Sequence, residues 1–133
     1  MTTLESGASL SPGLSVSHQG LATRPNVIGS LTYPKTKQQW FMAGAYAQPA
    51  AGYFGNAARG SIVGPGLILF DVAAYKDIHL SERLALQWRT EFFNVFNHTN
   101  FNAPNTNFGS GAFGTISSAL DPRMGEMALK LTF

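Results

Sequence analysis

Hydrophobic and polar positions alternate along three stretches in the second half of the chain. The clearest stretch is the last, residues 123–133, where every second position is apolar and polar or small residues fill the positions between. Successive side chains of a β-strand point to opposite faces, so this period of two predicts a strand with one apolar and one polar face. The apolar positions of the stretch are Met127, Leu129, Leu131 and Phe133.

The same alternation predicts two strands earlier in the chain. The first covers residues 67–77 and the second about 83–96, with a short turn at 78–82 between them. A helix over 82–96 is the alternative, because Ser81 and Glu82 offer a helix start. The aromatic and β-branched content of the segment, together with its alternation, favours the strand.

The remaining segments lack a regular period. Residues 1–39 are rich in Ser, Thr, Gly and Pro, and we expect a loop-rich or poorly ordered segment with one short strand near 14–16. Residues 40–66 mix aromatic residues with Ala, Gly and Pro, which predicts an ordered loop pinned by aromatic side chains. Residues 97–121 contain five Asn and several Gly, which predicts a long polar loop. We therefore divide the chain into 1–39 and a region of strands and loops, 40–133.

Composition narrows the class of protein that these strands fit. Charged residues make up 12% of the 133 residues, against about 25% in an ordinary soluble domain, and aromatic residues make up another 12%. No run approaches the roughly 20 apolar residues that a membrane-spanning helix needs, whereas a tilted strand crosses a bilayer with about 9–11 residues. Long loops that alternate with a short turn are typical of outer-membrane barrels. The predicted fold is all-β: an open antiparallel sheet of three to four membrane-type strands, a fragment of a large outer-membrane β-barrel.

The sequence shows no constellation for catalysis or for cofactor binding. It has no Cys, and His18, His79 and His98 lie far apart with no carboxylate at metal-ligand spacing. It also lacks a nucleophile elbow, a phosphate loop and paired carboxylates. The nine Lys and Arg are scattered and the net charge is only +2, which argues against a nucleic-acid partner. We expect no enzyme activity, no catalytic residue, no cofactor and no metal.

The N-terminal residues 1–17 carry neither a basic region nor a continuous apolar run, so they do not form a secretory signal. An outer-membrane protein needs export. We therefore expect the chain to be part of a longer precursor, or its reading frame to start internally.

Several motifs, in their order and spacing, resemble the C-terminal end of TonB-dependent outer-membrane receptors. They are the segments at residues 40–41, 48–50, 52–56, 64–66, 91–101 and 121–123. The chain is similar to the Oar-like branch, whose members carry an N-terminal carboxypeptidase-regulatory-like domain. The resemblance covers about residues 22–133, and its most specific part is FNVFNHTNF at 93–101.

This resemblance implies a barrel of about 22 strands with a plug in its lumen, of which the chain would form three or four strands. The implied partners are outer-membrane lipid, the remainder of the barrel with its plug, and the barrel-assembly machinery. TonB would be contacted only by parts that this chain lacks. The implied function is therefore a portion of a transporter in the cell outer membrane that cannot transport alone.

The final strand also resembles the barrel-assembly signal of such receptors. The signal calls for a polar residue, a small residue and two spaced hydrophobic residues. These places are filled by Glu126, Ala128, Leu131 and Phe133, with Ala128 replacing the usual Gly.

In a barrel, the alternation assigns each strand residue to lipid or to the lumen. The predicted lipid-facing residues are Ile68, Phe70, Val72, Leu84, Leu86, Trp88, Met127 and Leu129. The predicted lumen-facing residues are Asp71, Gln87, Arg89, Glu91 and Lys130. The alternative is a small soluble β-sheet module for ligand binding or interaction, in which other parts of the chain must cover the apolar row. Residues 1–60 lack an amphipathic helix or further clear strands to do so, and exposure of the row in a structure distinguishes the two.

Overall fold

A computed structural model of the protein describes residues 1–14 and 24–133. Apart from a three-residue 3-10 helix, Ala43–Ala45, its regular elements are all strands. The strands are β1 (Thr2–Glu5), β2 (Ser9–Leu10), β3 (Asn26–Val27), β4 (Tyr46–Ala47), β5 (Ile62–Val63), β6 (Leu67–Phe70), β7 (Val72–Ser81), β8 (Leu84–Phe93) and β9 (Met124–Thr132). They form antiparallel sheets in the orders β1-β6, β2-β5, β3-β4 and β7-β8-β9, and none of these sheets is closed. The predicted all-β, open antiparallel fold is confirmed.

Within the described ranges, no helix has the length and apolar character needed to cross a membrane.

The chain forms two compact units. The first consists of Met1–Glu5, Leu67–Asn100 and Leu120–Phe133, and the second of Ser6–Gly66 and Phe101–Ala119. Strands β1, β2 and β3 fall in the segment 1–39, for which the sequence predicts loops, because elements of two to four residues are too short to show a period. Most of the predicted short strand at 14–16 lies outside the described residues.

The first unit contains the three long strands predicted from the sequence, with corrected boundaries. The predicted turn at 78–82 is wrong, because β7 continues to Ser81 and residues 82–83 alone form the turn. Ile78 stays in register opposite Leu86, and the register shifts between His79 and Ser81 before the last pair, Ser81 with Leu84. The helical alternative for 82–96 is also wrong, since β8 occupies most of this segment.

The predicted first strand, 67–77, is interrupted at Asp71. The Asp71 carboxylate accepts a hydrogen bond of 3.0 Å from the backbone N–H of Asn94, and the Asp71 N–H donates to the carbonyl of Met1 at 2.8 Å. Before the break, β6 pairs with β1, and after it, β7 pairs with β8. One residue therefore separates two strands that belong to different sheets.

Asparagine residues end β8 and turn the chain. Asn94 and Asn97 have left-handed φ values of 50° and 52°, a conformation that Asn adopts more readily than most residues. The Asn94 side-chain amide accepts from the N–H of His98 at 3.0 Å and donates to its carbonyl at 2.9 Å. The Asn97 side chain accepts from the N–H of Arg123, directly before β9. These bonds give the motif at 93–101 a structural role as the connection that follows β8.

Asn100 binds the backbone of β6 as a neighbouring strand would. Its side-chain oxygen accepts from the N–H of Ile68 at 2.8 Å, and its side-chain nitrogen donates to the Ile68 carbonyl at 2.8 Å. Its own carbonyl accepts from the N–H of Leu120 at 2.8 Å. Asn100 is only 1% exposed, so these groups depend on one another for hydrogen bonding.

The second unit has an aromatic core. Its buried apolar residues are Trp40, Phe41, Ala45, Tyr46, Ala57, Ile62, Phe113 and Ile116. The Phe113 ring packs edge-on against Phe41, Tyr46 and Phe108, with centroid distances of 5.0, 5.5 and 5.3 Å. Burial raises the pKa of the Tyr46 hydroxyl, so the neutral phenol is the form that packs here.

Residues from both predicted loops, 40–66 and 97–121, contribute to this core. Residues 40–66 are pinned by aromatic side chains, as expected. Residues 97–121 differ from the predicted polar loop, because Phe113 and Ile116 are buried in the core. These two apolar residues stand among Asn and Gly in the sequence, so no local pattern marks them as core residues.

We predict that Asn100→Ala destabilises the first unit at β6. The substitution leaves the N–H and carbonyl of Ile68 without their side-chain partner, and each unpaired buried group costs about 1–3 kcal/mol. Amide hydrogen exchange at Ile68 measures the loss as a lower free energy of opening. Asn102→Ala is the matched control, because Asn102 is exposed and its side chain bonds Ser118. Equal protection of Ile68 in the two variants would contradict this role for Asn100.

Candidate functional site: a sheet with one apolar and one polar face

The three-stranded sheet separates apolar from polar side chains between its two faces. Directly opposed residues of neighbouring strands share a face, and the register therefore assigns each side chain. The apolar face carries Val72, Ala74, Lys76, Ile78, Leu84, Leu86, Trp88, Thr90, Phe92, Gly125, Met127, Leu129 and Leu131. The polar face carries Ala73, Tyr75, Asp77, His79, Ala85, Gln87, Arg89, Glu91, Phe93, Met124, Glu126, Ala128, Lys130 and Thr132.

The structure brings most of the predicted lipid-facing residues together on the apolar face. Val72, Leu84, Leu86, Trp88, Met127 and Leu129 all lie there. Met127 is 76% exposed and Leu129 is 69% exposed, although both are large and apolar. The soluble-module alternative requires this row to be covered, so its exposure favours a membrane role.

Lys76 is a charged residue on the apolar face that the sequence analysis did not single out. It lies on β7 in register with Trp88 and Leu129. A Lys side chain can run its aliphatic stem along an apolar surface and hold its ammonium group at a polar boundary. The alternation at 67–77 could have identified it, because Lys76 lies four residues after Val72 and therefore on the same face of the strand.

Two predicted lipid-facing residues lie in a different sheet. Ile68 and Phe70 belong to β6, which pairs with β1. The Phe70 ring packs edge-on against Phe96 at a centroid distance of 5.1 Å, which gives it a packing role within the first unit. Lipid contact by these two residues stays a prediction.

The polar face holds one ion pair and a hydrogen bond between neighbouring side chains. Arg89 forms an ion pair with Glu91, in which its Nε donates to the carboxylate at 2.8 Å. The Arg89 guanidinium also lies 5.8 Å from the centroid of the Tyr75 ring, within the range of a cation–π contact. The Gln87 side chain donates to the Asp77 carboxylate at 2.9 Å. Such a hydrated surface is suited to lining an aqueous lumen.

Of the predicted lumen-facing residues, Gln87, Arg89, Glu91 and Lys130 share the polar face, but Asp71 does not belong to the sheet. Asp71 lies between β6 and β7 and is half-buried, where its carboxylate binds the N–H of Asn94. This contact gives Asp71 a structural role at the strand break.

The residues that resemble the assembly signal lie on β9 and directly after it. Glu126 and Ala128 are on the polar face, Leu131 is on the apolar face, and Phe133 is 94% exposed. Among the described strands, β9 pairs only with β8, so its outer edge presents unpaired N–H and carbonyl groups. Recognition of these residues by assembly machinery stays a prediction.

The described residues contain no group of three His, Asp or Glu side chains that could hold a metal ion. His79 lies on the polar face of β7, and His98 lies in the turn after β8. His18 lies outside the described residues.

Comparison with known proteins agrees with the two-faced sheet. Residues 1–125 match the family model described as the outer membrane beta barrel domain. The chain belongs to this family. The outer membrane beta barrel domain places the protein in the outer membrane, which confirms the predicted location. No curated protein and no solved structure matches the chain significantly.

We predict that one added charge costs more stability on the apolar face than on the polar face. In the whole protein, folded into phospholipid vesicles, Leu129→Lys should lower the free energy of unfolding by about 2–4 kcal/mol, because it places a charge against lipid. Ala128→Lys adds the same charge to the adjacent polar face and should cost about 1 kcal/mol or less. Denaturant titration of both variants measures the difference, and equal costs would exclude lipid contact at Leu129.

Proposed function

We propose that the chain forms C-terminal wall strands of a TonB-dependent outer-membrane receptor of the Oar-like branch. Such a receptor carries a bulky solute across the outer membrane, and this chain alone does not transport. The observation that carries the proposal is the apolar face of the β7-β8-β9 sheet, which is exposed along β7 and β9, together with the polar face behind it.

Strand length supports the role as barrel wall. Strands β7 and β8 have ten residues each and β9 has nine. A tilted strand needs about 9–11 residues to cross a bilayer, so each of the three is long enough. With the apolar face on lipid, the row of Gln87, Arg89 and Glu91 would face the lumen.

The sheet edges explain why the chain needs further strands. Within the described part of the chain, the outer edges of β7 and β9 have no strand partner. Backbone N–H and carbonyl groups in lipid must be paired, and the smallest membrane barrels have about eight strands. The remainder of a large receptor barrel would supply the missing neighbours.

The assignment to the TonB-dependent class rests on the motifs that resemble Oar-like receptors. The hydrogen bonds of Asn94, Asn97 and Asn100 give a physical reason for the most specific of these motifs. Three asparagine side chains hold the connection between two wall strands, and each accepts or donates bonds to backbone groups.

An antibody raised against residues 97–121 tests the proposal in the bacterium that makes the protein. We expect an outer-membrane band far above 14.3 kDa that changes its mobility on boiling, as stable barrels do. Mass spectrometry of that band should find a plug and a TonB-contacting segment in the same polypeptide. A 14.3 kDa band in the soluble fraction would instead support the soluble module. A heat-modifiable barrel without a plug would refute the TonB-dependent assignment and leave the family membership intact.

A further inference from the structure

The second unit contains a half-open cavity that neither the family nor the proposed function assigns. Its volume is about 380 Å³, which is near the lower end of the range for small-molecule pockets. Tyr33, Lys35, Trp40 and Val63 line it, together with Gly7, Gly64 and Gly66. The lining thus offers two aromatic side chains and one cation, with no acidic residue.

The two aromatic side chains are held in place by the backbone of β5. The Trp40 indole N–H donates to the carbonyl of Val63 at 2.9 Å, and the Tyr33 hydroxyl accepts from the N–H of Val63 at 3.0 Å. Their polar atoms are therefore already engaged. What remains for a ligand is apolar ring surface in a preformed position, which limits the entropy lost on binding.

Close backbone contact fixes another wall of the cavity. The Gly64 N–H donates to the carbonyl of Ala8 at 2.9 Å. A Cβ atom added to Gly7 would lie 1.8 Å from the Gly64 carbonyl oxygen, so the two segments can approach this closely only with glycine at position 7. This contact fixes the wall, and beside it Val63 contributes an apolar side chain to the lining.

Lys35 has a backbone conformation that its residue type disfavours. Its φ is 58°, in the left-handed region where Gly and Asn are usual. The turn is held by bonds from the Lys35 N–H to the Trp40 carbonyl at 3.2 Å and from the Thr36 N–H to the Gln39 carbonyl at 3.1 Å. Glycine would meet this geometry without strain. Strain of this kind clusters at binding sites, and here it falls on a residue that lines the cavity and whose side chain ends in an ammonium group.

We propose that this cavity binds a six-membered ring that bears a carboxylate. The carboxylate pairs with the Lys35 ammonium, and the ring lies against Tyr33 and Trp40. Sugar acids and aromatic acids share this chemistry. All lining residues belong to the second unit, so the inference stands whether or not the proposed receptor function does.

Isothermal titration calorimetry on the whole protein, purified from outer membranes in detergent, tests the inference. The probes are sodium glucuronate and sodium benzoate, each compared with a neutral analogue, methyl glucoside and benzyl alcohol. We expect at least one acid to bind tenfold or more tightly than its neutral analogue, and the acid that does so identifies the ring class. Absence of this preference for both acids would overturn the proposal.

Variants at Lys35 separate binding from folding. Lys35→Gly should weaken binding of the acid at least tenfold and raise the melting temperature, because it removes both the charge and the backbone strain. Lys35→Asn removes the charge with another residue that tolerates left-handed backbone and should weaken binding equally, whereas Lys35→Arg should keep it within threefold. Lys37→Gln is the matched control, since Lys37 does not line the cavity, and should leave the affinity unchanged. Wild-type affinity in both Lys35→Gly and Lys35→Asn would exclude the ion pair.

Discussion

Backbone pairing of β8 with both of its neighbours is the constraint on which the two-faced sheet depends. Each residue from Ala85 to Phe92 has a partner on β7 and another on β9. Because side chains alternate, a slip of one residue in the β8–β9 pairing would move Leu129 to the polar face and Lys130 to the apolar face, and a slip in the β7–β8 pairing would do the same to the residues of β7. The two registers thus decide which residues form the apolar surface and which form the polar one.

The ends of these strands are set by polar side chains that bind backbone groups. Asp71 separates β6 from β7 through its bond to Asn94, and Asn97 binds the N–H of Arg123 just before β9. Asn100 takes the place of a strand neighbour for Ile68. Short side chains with fixed hydrogen-bonding geometry hold the strand ends, and the residues within the strands form the apolar and the polar face. The motif at 93–101 is therefore structural in the first unit.

Alternation was the most reliable signal in the sequence, and it worked where strands are long. The prediction for 123–133 differs from β9 by one residue at each end, and the polar and apolar faces follow the predicted parity. The predicted turn at 78–82 was placed too early, because β7 continues to Ser81. The break at Asp71 and the burial of Phe113 depend on partners more than 20 residues away. Local patterns do not contain such contacts, and the Lys35 cavity was missed for the same reason.

The most direct test of the lipid-facing assignment is a cysteine scan along β9, since these 133 residues contain no Cys that would compete for the label. Spin labels placed one at a time at positions 126–131 of the protein in outer-membrane vesicles would report collisions with oxygen from the lipid and with a water-soluble nickel complex. The account predicts two opposite period-two profiles, with oxygen contact highest at Met127, Leu129 and Leu131 and nickel contact highest at Glu126, Ala128 and Lys130. Uniform water access along the strand, or oxygen contact highest at the even positions, would contradict it.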